Sequence, residues 1–439
     1  MTDASADTYA LTGVTALLGD ELEPVENATI VVEAGRIAEV GTGPAPDGMR
    51  RLHHPDLLVT PGFINCHTHV GDAILSEEGF YVRGEDLLYA PHGLRHRRFA
   101  ELSPDDVARG MRRAMQYMIR CGTVAFADFR EQGADGVALL RKAADGLPLR
   151  VSALGRHAGY PLQPDEELRA NTGALSAEQE AEISEVLKLA DGFSVVSPNN
   201  LSDAALAQTA RIVRDAGKVL AAHAGEMEAD RQTSISRTGR SDIVRAIETL
   251  RPDYLVHLTA ATAEELEMAA KAEIPVVMCP RSHAGLGYGV PPFLAAAEAG
   301  VTVGIGTDNA MTTSPNVLAE INFLCKAERW RTGSVDRPDP RRLLAAITVD
   351  AARILGLDDC GSLAPGKTAA LVAFDATSPN LADAVRSDPL AALVNRAETA
   401  DIRAVLVEGR TAWGSLSGSS AMAAPSAPAA GPETLQELR

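Results

Sequence analysis

Two histidines separated by one residue, His67 and His69, close an apolar run that begins near Leu58. Side chains alternate along an extended strand, so both imidazoles face one side while Cys66 and Thr68 face the other. Two imidazoles on one face can chelate a divalent ion, although an H-x-H pair alone is also what two core or surface histidines look like. Further metal-capable or titratable groups stand at the ends of later apolar runs. They are His223 and Glu226 in His223-Ala224-Gly225-Glu226, His257 after Tyr254-Leu255-Val256, and Asp308 in Gly306-Thr307-Asp308-Asn309. Each is weak by itself. Their shared place at strand ends is the stronger signal, because catalytic groups of parallel barrels gather at the C-terminal ends of the strands.

The elements that must position these groups follow from the patterning. Eight short apolar runs, near 58–64, 123–127, 150–154, 192–197, 219–222, 254–257, 275–278 and 301–305, alternate with helical patterns such as 103–119, 203–216 and 263–272. Eight βα units in about 300 residues predict an α/β fold of the (β/α)8 TIM-barrel type. The flanks differ: 12–40 and 369–413 carry β-like runs (28–32, 370–374, 404–407) broken by Gly, Asn and Asp, and are expected to share one small sheet domain. From residue 415 the chain is rich in Ser, Ala, Pro and Gly and reads as a flexible tail. The expected division is therefore 1–58, 59–364, 365–414 and 415–439.

Composition bounds the function. The chain has 439 residues, 46% apolar and 23% charged, which excludes collagen-like, disulfide-scaffold and wholly disordered classes. A formal net charge of -18 repels phosphate backbones, so no nucleic-acid partner is expected. The absence of a long apolar run or of a basic, apolar leader makes a cytoplasmic protein without membrane contact the expectation. Five scattered cysteines with no C-x-x-C pair read as reduced, mostly buried thiols.

With those residues in place, the sequence resembles the amidohydrolase superfamily, and within it the deaminase and chlorohydrolase group that includes cytosine, guanine, adenosylhomocysteine and triazine enzymes. The resemblance rests on PGFINCHTH at 61–69, HAGE at 223–226, VH at 256–257, CPRS at 279–282, GTDN at 306–309 and GSLAPGKTAALVAFD at 361–375. It implies a distorted TIM barrel with a small β-sandwich built from both chain ends. It also implies metal ligation by His67, His69, His223 and Asp308, proton shuttling by Glu226, and His257 holding the attacking water or the substrate. The fourth strand ends in Ser197-Pro198-Asn199-Asn200, without the lysine that bridges two metals in binuclear branches, so the resemblance implies one ion. A homodimer or larger homo-oligomer is implied as well. Position 283 is His where related sequences commonly carry Asn, and Ala370 replaces a usual acidic residue.

The chemistry is consistent with that assignment. Imidazoles with one carboxylate and no thiolate suit Zn2+, with Fe2+ and Mn2+ as alternatives, and leave a position for water. Such an ion lowers the pKa of its water from about 15.7 toward about 7, giving a hydroxide that attacks a ring carbon. Glu226 protonates a ring nitrogen and passes a proton to the leaving amine, while Asp308 takes the proton of the water. The expected activity is hydrolytic deamination of an aminated N-heterocycle of purine, pterin, pyrimidine or triazine type, with release of ammonia. The alternative keeps the site and changes the bond, opening a cyclic amide or displacing chloride from a heteroaromatic ring; a non-catalytic binding protein is the third reading.

Four more residues are candidate substrate contacts: His157 and His283, and the pair Arg130 and Glu131 past the second run. For the histidines a satisfied structural role stays open, and for the pair an internal ion pair. The cluster Arg95, His96, Arg97 and Arg98 reads as a solvated helix end beside an acidic run, with an anion site as the alternative. His53, His54 and His92 receive no role.

Overall fold

The protein is described here by a computed structural model covering residues 8–88 and 92–416. Most of the expected tail, from residue 417 on, lies outside the described residues. Eight parallel strands, Phe63–His69, Thr123–Arg130, Arg150–Gly155, Gly192–Val195, Val219–Ala224, Tyr254–His257, Val276–Met278 and Val303–Ile305, pair in chain order. After Gly306-Thr307 the eighth strand resumes as Asp308–Asn309 and pairs with the first, Asp308 beside Thr68 and Asn309 beside His69. The sheet thus curls and closes on itself. Glycine is required at the seam: a Cβ on Gly306 would stand 2.6 Å from the His67 Cβ and 2.9 Å from its backbone N and O.

Helices coat the outside of this sheet because their apolar residues recur at helical spacing. Helix Pro104–Arg120 buries Val107, Met111, Ala114, Met115 and Met118 on one face. Its start is fixed by a capping box, in which the Ser103 side chain accepts from the Asp106 N–H and the Asp106 carboxylate accepts from the Ser103 N–H.

The two flanks do meet in one sheet, of eight strands. Leu57–Pro61 lies between Tyr9–Leu18 and Leu371–Asp375, and Ile402–Val407 and Arg410–Gly414 extend it beyond the latter. Alternate residues separate its faces. Leu57, Val59, Leu371, Ala373, Ala404 and Leu406 join one apolar cluster with Leu11, Ile30 and Val32, whereas Leu58, Val372, Phe374 and Val405 turn into the main core with Phe63 and Met118. The run expected near 58–64 is therefore two strands. Gly62 separates them, so the expected boundary after residue 58 falls inside a flank strand and the barrel starts at Phe63. All five cysteines are buried and free, and among the described residues no helix is long and apolar enough to cross a membrane.

Candidate metal centre and active site

Five metal-capable side chains converge where the first, fifth, sixth and eighth strands end. His67, His69 and Asp308 present ligand atoms within 4.8 Å of one another, and so do His67, His223 and His257. The ring centroids of His67 lie 4.8 Å from His69, 5.0 Å from His223 and 5.5 Å from His257. Asp308 Oδ1 stands 3.3 Å from His67 Nε2 and 3.5 Å from His69 Nε2. The ring of Phe129 supports the group, 4.2 Å from His67 and 5.1 Å from His223.

The donor set fits a divalent ion on three counts. Both nitrogens of His67 are buried without a hydrogen-bond partner, a costly arrangement unless something occupies the space they face. The far nitrogens of two other imidazoles are oriented from behind, His69 Nδ1 at 2.9 Å from the Phe129 carbonyl and His223 Nδ1 at 3.3 Å from the Val195 carbonyl, as ligating histidines usually are. Burial holds His223 and His257 well below the ordinary imidazole range and His69 down to about 4, so each is neutral with a lone pair available. Burial alone would raise Asp308, but the imidazoles of His67, His257 and His69 hold its carboxyl well below the usual range. Its ionised form is favoured, beside neutral His69 and His257.

Glu226 and His257 stand at the edge of this centre, His257 Nε2 3.9 Å from Glu226 Oε2. Burial, and after it the Asp308 charge, push the Glu226 carboxyl well above its ordinary value, which favours the protonated form. The backbone here is unusual: His257 has φ 84°, Leu258 51° and Asp308 60°. Left-handed non-glycine residues of this kind persist where surrounding structure over-determines them, and they cluster at functional sites.

The remaining candidates divide. His283, on helix Pro280–Leu286, packs against His257 with ring centroids 4.4 Å apart and the rings tilted by 31°, and adjoins the centre. His157 is buried with Nδ1 2.5 Å from Glu182 Oε2, and lines a cavity of about 400 Å³ together with Arg156, Glu131, His96 and Tyr160. Arg130, a candidate substrate contact with an internal ion pair as the alternative, is sealed at 0% exposure. Its guanidinium pairs with Glu131 and with Asp128 at 3.7 Å, and it fills the space that a Cβ on Gly71 would need. Glu131 in turn spends its oxygens inside the protein, on Arg130, on Arg156 at 2.5 Å, on Arg95 at 3.4 Å and on His69 Nδ1 at 3.2 Å. Against burial, those three arginines hold it well below the ordinary range. Arg130 and Glu131 are thus an internal ion pair behind His69.

Some residues of the site were not among the expectations. Arg95 is buried rather than a solvated helix end, and its Nη1 donates to Asn309 Oδ1 at 2.9 Å and lies 3.6 Å from Asp72. Ser282 Oγ donates to Asp308 Oδ2 at 2.6 Å, and Thr259 Oγ1 lies 2.6 Å from His283 Nδ1.

The amidohydrolase family model matches residues 58–412. This chain belongs to the amidohydrolase family. The amidohydrolase is 32% identical over 401 residues to a protein of Methanothermobacter thermautotrophicus named "Putative aminohydrolase", covering 90% of this chain and 97% of that one. It is 27% identical to the 5-methylthioadenosine/S-adenosylhomocysteine deaminase of Halobacterium salinarum, covering 92% of each. Among solved structures it resembles the zinc complex of atrazine chlorohydrolase from Arthrobacter aurescens TC1, with TM-score 0.78, 19% identity, and 92% and 94% of the two chains covered. That last likeness concerns the fold, a curled parallel barrel in a mixed α/β protein. Family and relatives together make the chain a hydrolytic enzyme acting on C–N bonds.

Proposed function

We propose that this amidohydrolase deaminates an aminated N-heterocycle, with an adenine nucleoside as the first substrate to test and pterins, pyrimidines and triazines after it. The observation that carries the reading is Glu226, a carboxyl favouring its protonated form beside a cluster of neutral imidazoles. The name of the Halobacterium relative supports the choice of an adenine nucleoside.

His67, His69, His223 and Asp308 would hold one divalent ion, zinc by its ligand chemistry. When bound, the ion supplies Lewis acidity that brings a water's pKa from about 15.7 toward about 7. The side chains do the rest. Protonated Glu226 donates to a ring nitrogen, drawing electrons away from the amino-bearing carbon. Ionised Asp308 accepts the proton that the attacking water gives up. His257, neutral and fixed at the sixth strand end, orients the incoming oxygen. The carbon–nitrogen bond then breaks as Asp308 passes its proton to the leaving amine, which departs as ammonia; the remaining hydroxyl proton returns to Glu226, and the ring keeps a carbonyl and the added N–H. The working unit of this reading is a homodimer or larger assembly acting on a small molecule, which light scattering tests.

The experiment is ammonia release across that panel, with Glu226→Gln as the comparison. Turnover is expected to fall by about 10³-fold in the variant, within the range for a lost general acid, with zinc content unchanged. Near-normal turnover in Glu226→Gln removes the shuttle. A product that gains water without losing nitrogen, or a release of chloride, moves the assignment to ring opening or to dechlorination.

A further inference from the structure

A second group of metal-capable side chains adjoins the first. Glu226, His257 and His283 each present a ligand atom, all within 4.8 Å of one another, and His257 is common to this group and to the one with His67 and His223. His283 is fully buried. Thr259 Oγ1 engages its Nδ1 at 2.6 Å, so Nε2 is the nitrogen left over, and it is buried with no hydrogen-bond partner. His257 faces Glu226 through Nε2, 3.9 Å from Oε2, while its Nδ1 is buried with no hydrogen-bond partner. A hydroxyl behind one nitrogen and an unused lone pair on the other is how a ligating histidine is held. The charge around Glu226 is acidic too, with Asp308, Asp230 and Asp242 acting on it against the guanidinium of Arg95. Nothing in the proposed deamination uses the His283 nitrogen.

We infer that Glu226, His257 and His283 form a second divalent-cation site, filled only after the first, and that its occupation inhibits the enzyme by engaging the Glu226 carboxylate. Two imidazoles and one carboxylate with an open fourth position suit zinc. The inhibitory part rests on reading Glu226 as the proton shuttle; the site itself does not.

Counting ions separates the two. Holoenzyme carrying one zinc per chain is dialysed against rising free zinc, and bound metal and turnover are measured on the same samples. Wild type is expected to take up a second ion about tenfold or more weaker than the first, and turnover falls as it binds. In His283→Phe the first ion stays and the second is lost, and in Glu226→Gln the second binds more weakly. If His283→Phe does not fold, His283→Asn replaces it, and the visible spectrum of cobalt-substituted wild type reports whether a second, nitrogen-containing site fills. Saturation of wild type at one ion per chain overturns the site, as does an unchanged second ion in the His283 variant. A second ion that binds without loss of turnover upholds the site and refutes the shuttle.

Discussion

The Asp308 carboxylate is gripped on both oxygens, by Ser282 Oγ on Oδ2 at 2.6 Å and by Asn309 Nδ2 on Oδ1 at 3.1 Å. These bonds fix a proposed metal ligand whose backbone is already left-handed, so the orientation does not come from the main chain alone. Ser282→Ala is therefore expected to weaken zinc binding by about 10- to 100-fold, the usual range for a lost partner of a metal ligand. Chelator competition on the purified variant checks it, and unchanged zinc affinity would mean that Asn309 suffices. Ser282 stands inside CPRS, a segment that carries the family resemblance without showing which carboxylate this hydroxyl meets. A strand end marks where a side chain emerges; it says nothing about which hydroxyl of another unit reaches that side chain. Arg95 makes the same point. In sequence it sits among exposed bases, and only the fold brings Asp72, Glu131 and Asn309 to it.

Helix Pro280–Leu286 is held in turn by helix Val317–Thr332, through Glu320, whose Oε2 accepts from the Arg281 backbone N–H at 2.8 Å. Burial raises the Glu320 carboxyl from 4.5 to about 8, opposed by Arg281. Between those values the folded protein keeps a proton that the unfolded chain releases, so this group costs stability as pH rises through that window. Glu320→Gln keeps an oxygen for Arg281 and cannot ionise. Its melting temperature should match wild type below pH 4.5 and exceed it progressively toward pH 8, by on the order of a few kcal/mol in stability. Equal pH profiles would show that Glu320 is not protonated in the folded state. At this scale the sequence was most informative. Period-2 and period-3.6 patterns are local, so the runs expected at 254–257 and 203–216 coincide closely with strand Tyr254–His257 and helix Asp203–Asp215. The failure at 58–64 has a local cause as well: one unbroken apolar stretch serves two sheets, and only Gly62, whose N–H donates to the Ala370 carbonyl at 2.9 Å, marks the change.

The flank sheet ties the two chain ends to the strand that carries His67 and His69. Leu57–Pro61 pairs with Leu371–Asp375 along its whole length, Pro61 opposite Leu371, and two residues later Phe63 opens the strand that carries His67 and His69. Phe63 also packs on Phe374, ring centroids 6.3 Å apart. A chain stopped after residue 364 loses Leu371–Asp375 and the two strands beyond it. That bares one edge of Leu57–Pro61 and removes part of the core behind Phe63, although every proposed metal ligand is still present. The expectation is that this shortened chain aggregates, and that any soluble fraction holds far less than one zinc per chain and melts without a cooperative transition. A chain ending at residue 416, which keeps every strand of the sheet, is the control and should retain metal and melting behaviour. If the chain ending at 364 still binds one zinc and melts as wild type does, the barrel is self-sufficient and the sheet serves another purpose. The dependence expected here is one that no local pattern reveals: residues more than 300 positions apart in sequence share the edge on which the ligand strand begins.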